Sequence, residues 1–306
     1  MNLKLSIKKE LKMTKQKAVL ELIFAGFLWG YSFLATKWAL LELSVYDILF
    51  YRYLCAFIIG EFYYHTKVKL SMAESLQEMK LAFPPGLLLV AFIIPQTIGL
   101  QYTSASKSGF ITTLYVLFVP LINHFIFKEK ITKKIYLYAT VALFGMTLLL
   151  NLYAQSADLN KGDVWTLVCS FFAALQIIFV GKVANRSISA LRLNNMQNFW
   201  CLLGIFPFYL TQSNTTFITQ DWLPWFGVVS MAIASSVIAF TIQVRAQKVL
   251  DSAVASQFFL LESPFAFMFG VLFLKETLTA LQIIGALIIM LSAYLSLREE
   301  QILHSK

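Results

Sequence analysis

The sequence has few charged residues for its length. Only 13% of its 306 residues are Asp, Glu, Lys or Arg, about half of the roughly 25% usual in soluble domains. The apolar fraction is 58%, with 28 phenylalanines. No soluble core needs this much apolar surface, so the composition excludes an ordinary soluble domain and predicts an all-α polytopic membrane protein.

Cysteine and histidine are also scarce, with three residues of each. Cys55, Cys169 and Cys201 lie singly within apolar runs and show no CxxC spacing, and the histidines are scattered. This pattern indicates neither a disulfide framework nor a zinc site. We expect no metal and no cofactor.

Signatures of catalysis and of ATP binding are missing. The chain has no HExxH motif, no paired aspartates within an apolar run and no nucleotide-binding loop. His124 has no acid one helical turn away. We therefore expect neither an enzyme nor a direct use of ATP.

The net charge of +9 would favour nucleic acid as a partner if the protein were soluble. Here the cations cluster between apolar runs. Since cytoplasmic loops of membrane proteins are enriched in Lys and Arg, the pattern favours the lipid bilayer, and no nucleic acid, as the partner.

Ten apolar runs are long enough to cross roughly 30 Å of hydrocarbon. The predicted spans are 18–41, 46–65, 82–102, 106–127, 133–152, 163–184, 194–213, 222–245, 251–274 and 279–297. With the N-terminus inside, the inner segments carry twenty Lys and Arg and the outer segments only three. This bias places both termini in the cytoplasm, in agreement with an even number of spans.

A faint duplication relates the two halves of the chain. A shift of 147 residues places Gln96 on Gln243 and Glu129 on Glu276. The chain therefore divides into a basic cytoplasmic N-terminal segment, two repeats of five helices and a cytoplasmic tail. Their bounds are 1–17, 18–152, 163–297 and 298–306.

Because five is an odd number, the second repeat must enter the membrane from the opposite side. Such inverted repeats let one half rock against the other around a site near the midplane, which is the physical basis of alternating access. Pro120 and Pro264 do not coincide under the shift of 147, so kinks at these prolines need not be symmetric.

Five stretches stand out from the plain apolar runs. They are FLWGYSFLATKWAL (27–40), YRYLCAF (51–57), LQYTSASKSGFITTLYVLFVPLI (100–122), KEKIT (128–132) and LLESPFAFMFGVLFLKETLT (260–279). In the order and spacing of these five stretches, the chain resembles the drug/metabolite transporter superfamily, in its ten-helix EamA-type branch. The resemblance implies two EamA-like repeats, transport of a small organic metabolite and the bacterial inner membrane.

One polar phrase occurs twice, as IFKEKIT (126–132) and as FLKETLT (273–279). Each copy lies at a membrane boundary in a tight turn, so we expect its Lys and Glu to be solvated or paired with headgroups. Thr279 followed by Gln282 fits a capping box for the tenth helix, and Thr132 can cap the fifth.

Glu262 is the most deeply placed charged residue. It lies about eleven residues, or some 16 Å, from either end of the ninth span. It also precedes Pro264 by two residues, and a proline weakens the helical turn before it. Glu262 could contact a substrate amine or accept a proton; alternatively it is a neutral, hydrogen-bonded tie between helices.

Arg52 and Lys37 lie in the outer halves of the second and first spans. Each can extend to the outer interface or bind an anion within the membrane. For Arg52 the anion is a carboxylate, which belongs either to a substrate or to Glu262.

Uncharged polar and aromatic residues complete the predicted binding site. Gln96, Gln243 and Gln176 offer amide donors and acceptors, although such an amide can equally join two helices. Trp29 is the best aromatic candidate because its neighbours in WGYS are small. Tyr31 and Tyr115 are further candidates.

These residues favour a secondary active transporter of a small polar or zwitterionic metabolite, an amino acid or a derivative. The alternatives are an exchanger of a bulkier nucleoside-derived metabolite or cofactor, and a membrane assembly subunit that transports nothing. The substrate, the direction of transport, the coupling ion and the oligomeric state stay open.

Overall fold

A computed structural model describes residues 14–67, 71–128, 133–149, 160–212 and 219–304. These residues form helices and connecting turns, and no strand occurs among them. Most of the predicted N-terminal segment, Glu129 and the predicted Thr132 cap lie outside the described residues.

Ten helices follow one another along the described chain, as the apolar runs predict. They are α1 (Lys15–Ala39), α2 (Val45–Lys67), α3 (Met72–Tyr102), α4 (Ala105–Phe125), α5 (Lys133–Leu149), α6 (Lys161–Ala184), α7 (Ala190–Leu210), α8 (Leu223–Ala246), α9 (Ser252–Leu274) and α10 (Ala280–His304). Most bounds agree with the predicted spans to within about a turn. The exceptions are α3, which begins at residue 72 rather than 82, and α10, which ends at residue 304 rather than 297.

The early start of α3 has a local cause. Ser71 and Glu74 form a capping box: the Glu74 amide donates to Ser71 Oγ (3.3 Å) and the Ser71 amide to Glu74 Oε2 (2.7 Å). Such a cap lets a helix begin in a polar segment, before its apolar run. The Ser71 hydroxyl also donates to Glu74 Oε2 (2.8 Å), and the bonds from the Ser71 amide and hydroxyl lower the pKa of the Glu74 carboxyl.

The surface of the helices suits hydrocarbon. Six of the ten are long and apolar enough to cross a membrane, judged over the described residues: α1, α3, α4, α6, α8 and α9. Large apolar side chains such as Leu20, Phe62 and Leu210 are exposed, while polar ones such as Asn194 and Gln197 are buried. The interior also contains many apolar residues, so it is the large number of exposed apolar side chains that distinguishes this surface from a soluble protein's.

Helices from the two halves of the chain pack against each other. α3 lies against α6 and α7, α2 against α7, and α1 against α8 and α9. α5 and α10 pack mainly on one another, with their backbones close at Gly145 and Gly285. A Cβ atom on Gly285 would lie 2.5 Å from the Gly145 carbonyl oxygen, so only glycine permits this approach.

Two helices are broken near their middles. α4 consists of the pieces Ala105–Thr112 and Tyr115–Phe125, and α9 of Ser252–Phe259 and Glu262–Leu274. At each break, backbone hydrogen bonds tighten from an i→i−4 to an i→i−3 pattern. The tighter turn changes the direction of the helix and ends its regular hydrogen bonding there.

α8 contains a different irregularity. Residues Ala232–Ala239, between the α-helical pieces Leu223–Met231 and Phe240–Ala246, form a π-helix. A π-helical turn bonds residue i to residue i−5 and is therefore wider than an α-helical turn. Neither glycine nor proline occurs in this segment.

Polar contacts join the two halves at both membrane faces; face A is where α1 begins and face B where it ends. At face A, Arg192 forms an ion pair with Glu61. The carboxylate of Glu78 accepts from the Ser187 hydroxyl (2.8 Å) and the Ile188 amide (2.6 Å). Each of these contacts joins the first half of the chain to the second.

At face B, the repeated Lys-Glu phrase has a more specific role than solvation. Glu276 accepts from the amides of Ala105 (2.7 Å) and Ser106 (2.9 Å) and from the Ser106 hydroxyl (2.6 Å). The expectation of a solvated Glu is therefore wrong for this copy, because the N-terminus of α4 supplies free amides and a positive dipole end. Nearby, Lys107 pairs with Asp163 (3.2 Å).

The capping box predicted for α10 is confirmed. The Thr279 amide donates to Gln282 Oε1 (2.9 Å), and the Gln282 amide to Thr279 Oγ1 (3.3 Å). In both copies of the phrase the lysine adopts the left-handed conformation, with φ of 60° at Lys128 and 55° at Lys275. The phrase thus marks a sharp helix end in each half.

Candidate functional site

A cavity lies between the two halves of the chain. It has about 450 Å³ of space between atoms, part of it open to solvent, but the centre of a water molecule can occupy only about 30 Å³. Its walls come from α1, α2, α3, α4, α6, α8 and α9. The site is therefore central and narrow, and both halves contribute to it.

Seven of the nine predicted binding residues line this cavity: Trp29, Arg52, Gln96, Tyr115, Gln176, Gln243 and Glu262. They come from seven different helices, so the fold brings them together from distant parts of the sequence. Phenylalanines form much of the remaining wall. The result is an apolar pocket with a few polar groups, the usual composition of a small-molecule site.

The other two predicted residues lie elsewhere on α1. The Tyr31 hydroxyl is 2.7 Å from Ser230 Oγ, and its ring packs against Phe269. Lys37 is half-buried and within electrostatic reach of Glu276 at face B. Tyr31 lies outside the cavity because helical rotation separates it from Trp29 and Ser32, and Lys37 lies about two turns beyond Trp29, toward face B.

Arg52 is buried, with 3% of its surface exposed. Its Nε donates to Ser236 Oγ and its Nη2 to Ser235 Oγ, each at 2.9 Å. Within the described part of the chain no carboxylate lies close enough to form an ion pair with it. The site thus holds a guanidinium that neutral hydroxyls orient and no acid neutralises.

Glu262 lines the same cavity and is 6% exposed. Its Oε1 atom and the Tyr115 hydroxyl lie close enough to interact with each other, but without the geometry of a well-formed hydrogen bond. Trp29 Nε1, at the same cavity, has no hydrogen-bond partner among the described atoms. Buried polar atoms normally find partners, because an unpaired one costs roughly 1–3 kcal/mol, so these poorly satisfied groups indicate a place for a polar ligand.

The break in α9 places Glu262 at the cavity. Pro264 has no amide hydrogen to donate to the Leu260 carbonyl, which instead accepts from the Ser263 amide (3.1 Å). Glu262 is the first residue of the second helical piece. Its position at a weakened turn agrees with the sequence interpretation.

The glutamines tie helices together as well as lining the cavity. Gln243 donates to Gln176 Oε1 and Gln176 donates to Gln197 Oε1, both at 3.1 Å. This chain of amides connects α6, α7 and α8. The structural and the binding interpretations of Gln176 and Gln243 are therefore compatible.

Sequence reasoning missed the serines and asparagines around Arg52. Ser235 and Ser236 hold the guanidinium, and Asn194 and Asn198 donate to the Ser236 carbonyl oxygen. The available signal was two adjacent serines within an apolar run, and three asparagines at the start of the seventh predicted span, 194–213. Among the described residues no group of three or more His, Cys, Asp or Glu could hold a metal ion.

The sequence model of the EamA-like transporter family matches the chain twice, over residues 16–151 and over residues 160–298. The chain belongs to the EamA-like transporter family. Family and apolar helices together make it an integral membrane protein. Its EamA-type resemblance, noted from the motifs, is thereby confirmed.

Two curated relatives carry the name transporter without a stated substrate. An uncharacterized transporter of Archaeoglobus fulgidus is 30% identical over 208 residues, which are 64% of this chain and 62% of the relative. The uncharacterized transporter YetK of Bacillus subtilis is 24% identical over 147 residues, 46% of this chain and 44% of the relative. Each match spans less than two thirds of the relative's length.

A solved crystal structure shares the EamA-like chain's fold. It superposes with a TM-score of 0.69, covers 91% of this chain and 96% of its own, and is 14% identical in sequence. At this identity the likeness concerns the fold alone.

Proposed function

We propose that this EamA-like protein is a secondary active transporter of a small zwitterion, an amino acid or a derivative. The observation that carries the proposal is the separation of two opposite groups in one cavity. Arg52 and Glu262 both line it, yet they do not form an ion pair with each other. A bound zwitterion places its carboxylate at Arg52 and its ammonium group at Glu262.

The free energy of burial supports this assignment. A charged side chain at membrane depth costs roughly 2.5–3.5 kcal/mol on insertion scales. Hydroxyls at 2.9 Å offset part of this cost for Arg52, but they supply no negative charge. A substrate carboxylate would supply it, and the planar guanidinium suits that group in two parallel hydrogen bonds.

Glu262 supplies the opposite end of the proposed site. Its carboxyl, which the Tyr115 hydroxyl approaches, can accept an ammonium hydrogen. Trp29 and the phenylalanines between the two ends would contact the apolar part of the substrate.

We further propose alternating access between two inverted repeats, residues 18–152 and 163–297. The breaks of α4 and α9 lie 147 residues apart, at Thr113–Leu114 and Leu260–Leu261, and one helix begins at face B, the other at face A. Face A is cytoplasmic in this proposal, because the Lys and Arg of the connecting segments concentrate there. The proposed location is the bacterial inner (cytoplasmic) membrane, which the relative from Bacillus subtilis supports.

The narrow cavity agrees with such a cycle. Only about 30 Å³ is open to the centre of a water molecule, room for about two waters, so an amino acid enters only when the walls move. The aromatic walls also suit a flat nucleoside-derived metabolite, which is the second candidate. Such a ligand does not need both Arg52 and Glu262.

The test is a set of matched substrates in proteoliposomes. One amino acid with an apolar side chain is compared with its decarboxylated amine and its deaminated acid, each of which lacks one charge. We expect exchange of the amino acid, and about tenfold or greater losses for both analogues. Exchange of nucleosides in place of every amino acid would establish the second candidate, and exchange of neither class would overturn the proposal.

A further inference from the structure

We infer that Asn194 and Asn198 of α7 are positioning residues for Arg52, and that they act through the π-helical segment of α8. Neither asparagine lines the cavity, and their side-chain amides donate to atoms of α8. The inference extends the proposed function. Of its two tests, only the transport measurement rests on the proposed function.

The first step concerns the two serines that hold the guanidinium. Ser235 and Ser236 are adjacent in sequence, and both hydroxyls accept hydrogen bonds from Arg52. In an α-helix, adjacent side chains point about 100° apart, since one turn takes 3.6 residues. The wider π-helical turn of Ala232–Ala239 brings the two hydroxyls onto the same guanidinium.

The second step concerns the backbone carbonyl oxygens of the π-helical segment, whose positions differ from those in an α-helix. Asn194 Nδ2 donates to the Ser236 carbonyl oxygen at 2.8 Å, and Asn198 Nδ2 donates to the same oxygen at 3.2 Å. Asn194 Nδ2 also lies 3.3 Å from the Val237 carbonyl oxygen and 3.1 Å from Thr241 Oγ1. The two amides thus hold the segment at its centre.

The placement of the asparagines is specific to this task. They are four residues apart on α7, so they lie on one face of the helix, one turn above the other. Both are 1% exposed. Asn195, on a different face of the same helix, donates to Glu61 Oε2 instead, at 2.7 Å.

The third step concerns the N–H donors of Arg52 that the two serines do not use. A guanidinium has five N–H donors. One from Nε and one from Nη2 are taken by the serines, and Nη1 faces the Met231 sulfur at 4.0 Å. The remaining donors belong to the terminal nitrogens of a side chain that lines the cavity, where they can meet a carboxylate as a fork.

Without the asparagine amides, the Ser236 carbonyl loses both side-chain donors. The segment can then return to the narrower α-helical turn, which directs one of the two hydroxyls away from Arg52. The guanidinium keeps its charge but loses its fixed orientation. The expected consequence is weaker binding of a carboxylate, with no change for a ligand that lacks one.

The first experiment observes Arg52 without any substrate. The Nε–H resonance of Arg52 is recorded in ¹⁵N-labelled, detergent-solubilised protein and assigned by its loss in Arg52→Lys. In the double variant Asn194→Ala/Asn198→Ala we expect this resonance to shift and its exchange with water to accelerate about tenfold. The matched control Asn195→Ala should leave the resonance in place.

The second experiment measures transport. In the double variant we expect the KM of the amino acid to rise about tenfold while the maximal rate is kept. The KM of the decarboxylated amine should stay the same. A general loosening of the fold would instead change both substrates alike and would also appear in Asn195→Ala.

The outcomes separate this inference from the proposed function. An unchanged Arg52 resonance in a folded double variant overturns the inference, and so does an equal rise of KM for amino acid and amine. A shifted resonance in a protein that carries no amino acid supports the positioning role and refutes the proposed substrate. If the double variant does not fold, Asn198→Ala alone, which keeps the Asn194 amide, should show a smaller shift of the same resonance.

Discussion

The broken helices α4 and α9 have matching backbone hydrogen bonds at their breaks, but the side chains that they place at the cavity differ. In α4 the Leu114 amide donates to Ile111 and the Val116 amide to Thr113; in α9 the Leu261 amide donates to Phe258 and the Ser263 amide to Leu260. Each α9 residue is its α4 counterpart shifted by 147. The two breaks therefore have the same hydrogen bonds at equivalent positions.

The cause of the break differs between the two helices. In α9, Pro264 removes an amide from the Leu260 carbonyl. In α4 the equivalent position is Leu117, whose amide donates to Leu114 at 2.9 Å, and Thr113 Oγ1 donates to the Phe110 carbonyl (2.8 Å). Pro120 lies beyond the break, within the second piece. A symmetric break thus needs no symmetric proline.

The side chains directly after the breaks have diverged. Tyr115 and Glu262 are equivalent under the shift of 147, and both reach the cavity. One offers a neutral phenol and the other an acid. The comparison teaches that the hinge-like backbone is duplicated while the side chains directly after the breaks are not, which suits the binding of an asymmetric ligand.

The largest expected effect tests this divergence. Glu262→Gln keeps the size of the side chain and removes its charge. We expect the rate of amino acid exchange at low concentration to fall about a hundredfold, because a hydrogen bond to a charged group contributes roughly 1.5–3 kcal/mol. Labelled-substrate exchange in proteoliposomes measures the loss.

The matched variant at the equivalent position is Tyr115→Phe. It removes a neutral hydroxyl, so we expect a fall of less than about tenfold. Equal losses in Glu262→Gln and Tyr115→Phe, with both proteins folded, would contradict the unequal roles of the two positions.

The ten spans were predictable because the length of an apolar run is set by the thickness of the bilayer. Glu262, Arg52 and Trp29, which line the cavity, were identifiable as candidates for a related reason. A charge at membrane depth is costly, so Glu262 and Arg52 stand out in the sequence, and the small neighbours of Trp29 mark a close approach of helices.

Other features depend on contacts between helices, so the sequence of a single apolar run gives little indication of them. The π-helical segment of α8 has an ordinary apolar sequence apart from its serines, and the asparagines that hold it are in α7. Tyr31, predicted together with Trp29, lies outside the cavity, because the side of α1 that faces the cavity depends on how α8 and α9 pack. Ala105 and Ser106, whose amides donate to Glu276, are likewise distant from it in the sequence.

The next largest effect concerns the face-B contact between the halves. Glu276→Ala removes three hydrogen bonds from the N-terminus of α4. We expect a loss of about 1–2 kcal/mol in the free energy of unfolding. Hydrogen exchange should accelerate at the Ala105 and Ser106 amides, and thermal melting should shift down.

The control for Glu276→Ala is Glu42→Ala, at the same face. Glu42 accepts from the amides of Gln220 (2.7 Å) and Asp221 (3.1 Å) in an exposed turn, so its loss should cost less than about 0.5 kcal/mol. Unchanged protection of the Ala105 and Ser106 amides in Glu276→Ala would contradict the capping contact.

A smaller effect tests the link between the two breaks. Ser263 Oγ of α9 lies 3.2 Å from the Gly109 carbonyl oxygen and 3.0 Å from Thr113 Oγ1 of α4. We expect Ser263→Ala to lower the free energy of unfolding by about 1 kcal/mol. In Ser256→Ala the lost bond, to Ala253 of the same helix, should cost only a few tenths, and a reversed order in thermal melting would show that the breaks are not coupled through Ser263.

The smallest effect concerns the turns at the end of each broken helix. Lys275 has φ of 55° and Lys128 has φ of 60°, a conformation that costs non-glycine residues roughly 1 kcal/mol. Glycine relieves this cost but also removes a positive charge beside a helix C-terminus, worth about 0.3–1 kcal/mol. We therefore expect Lys275→Gly and Lys128→Gly each to raise the free energy of unfolding by at most about 0.5 kcal/mol. Lys275→Ala separates the two effects, since it loses the charge and keeps the strained backbone, and it should melt below both wild type and Lys275→Gly.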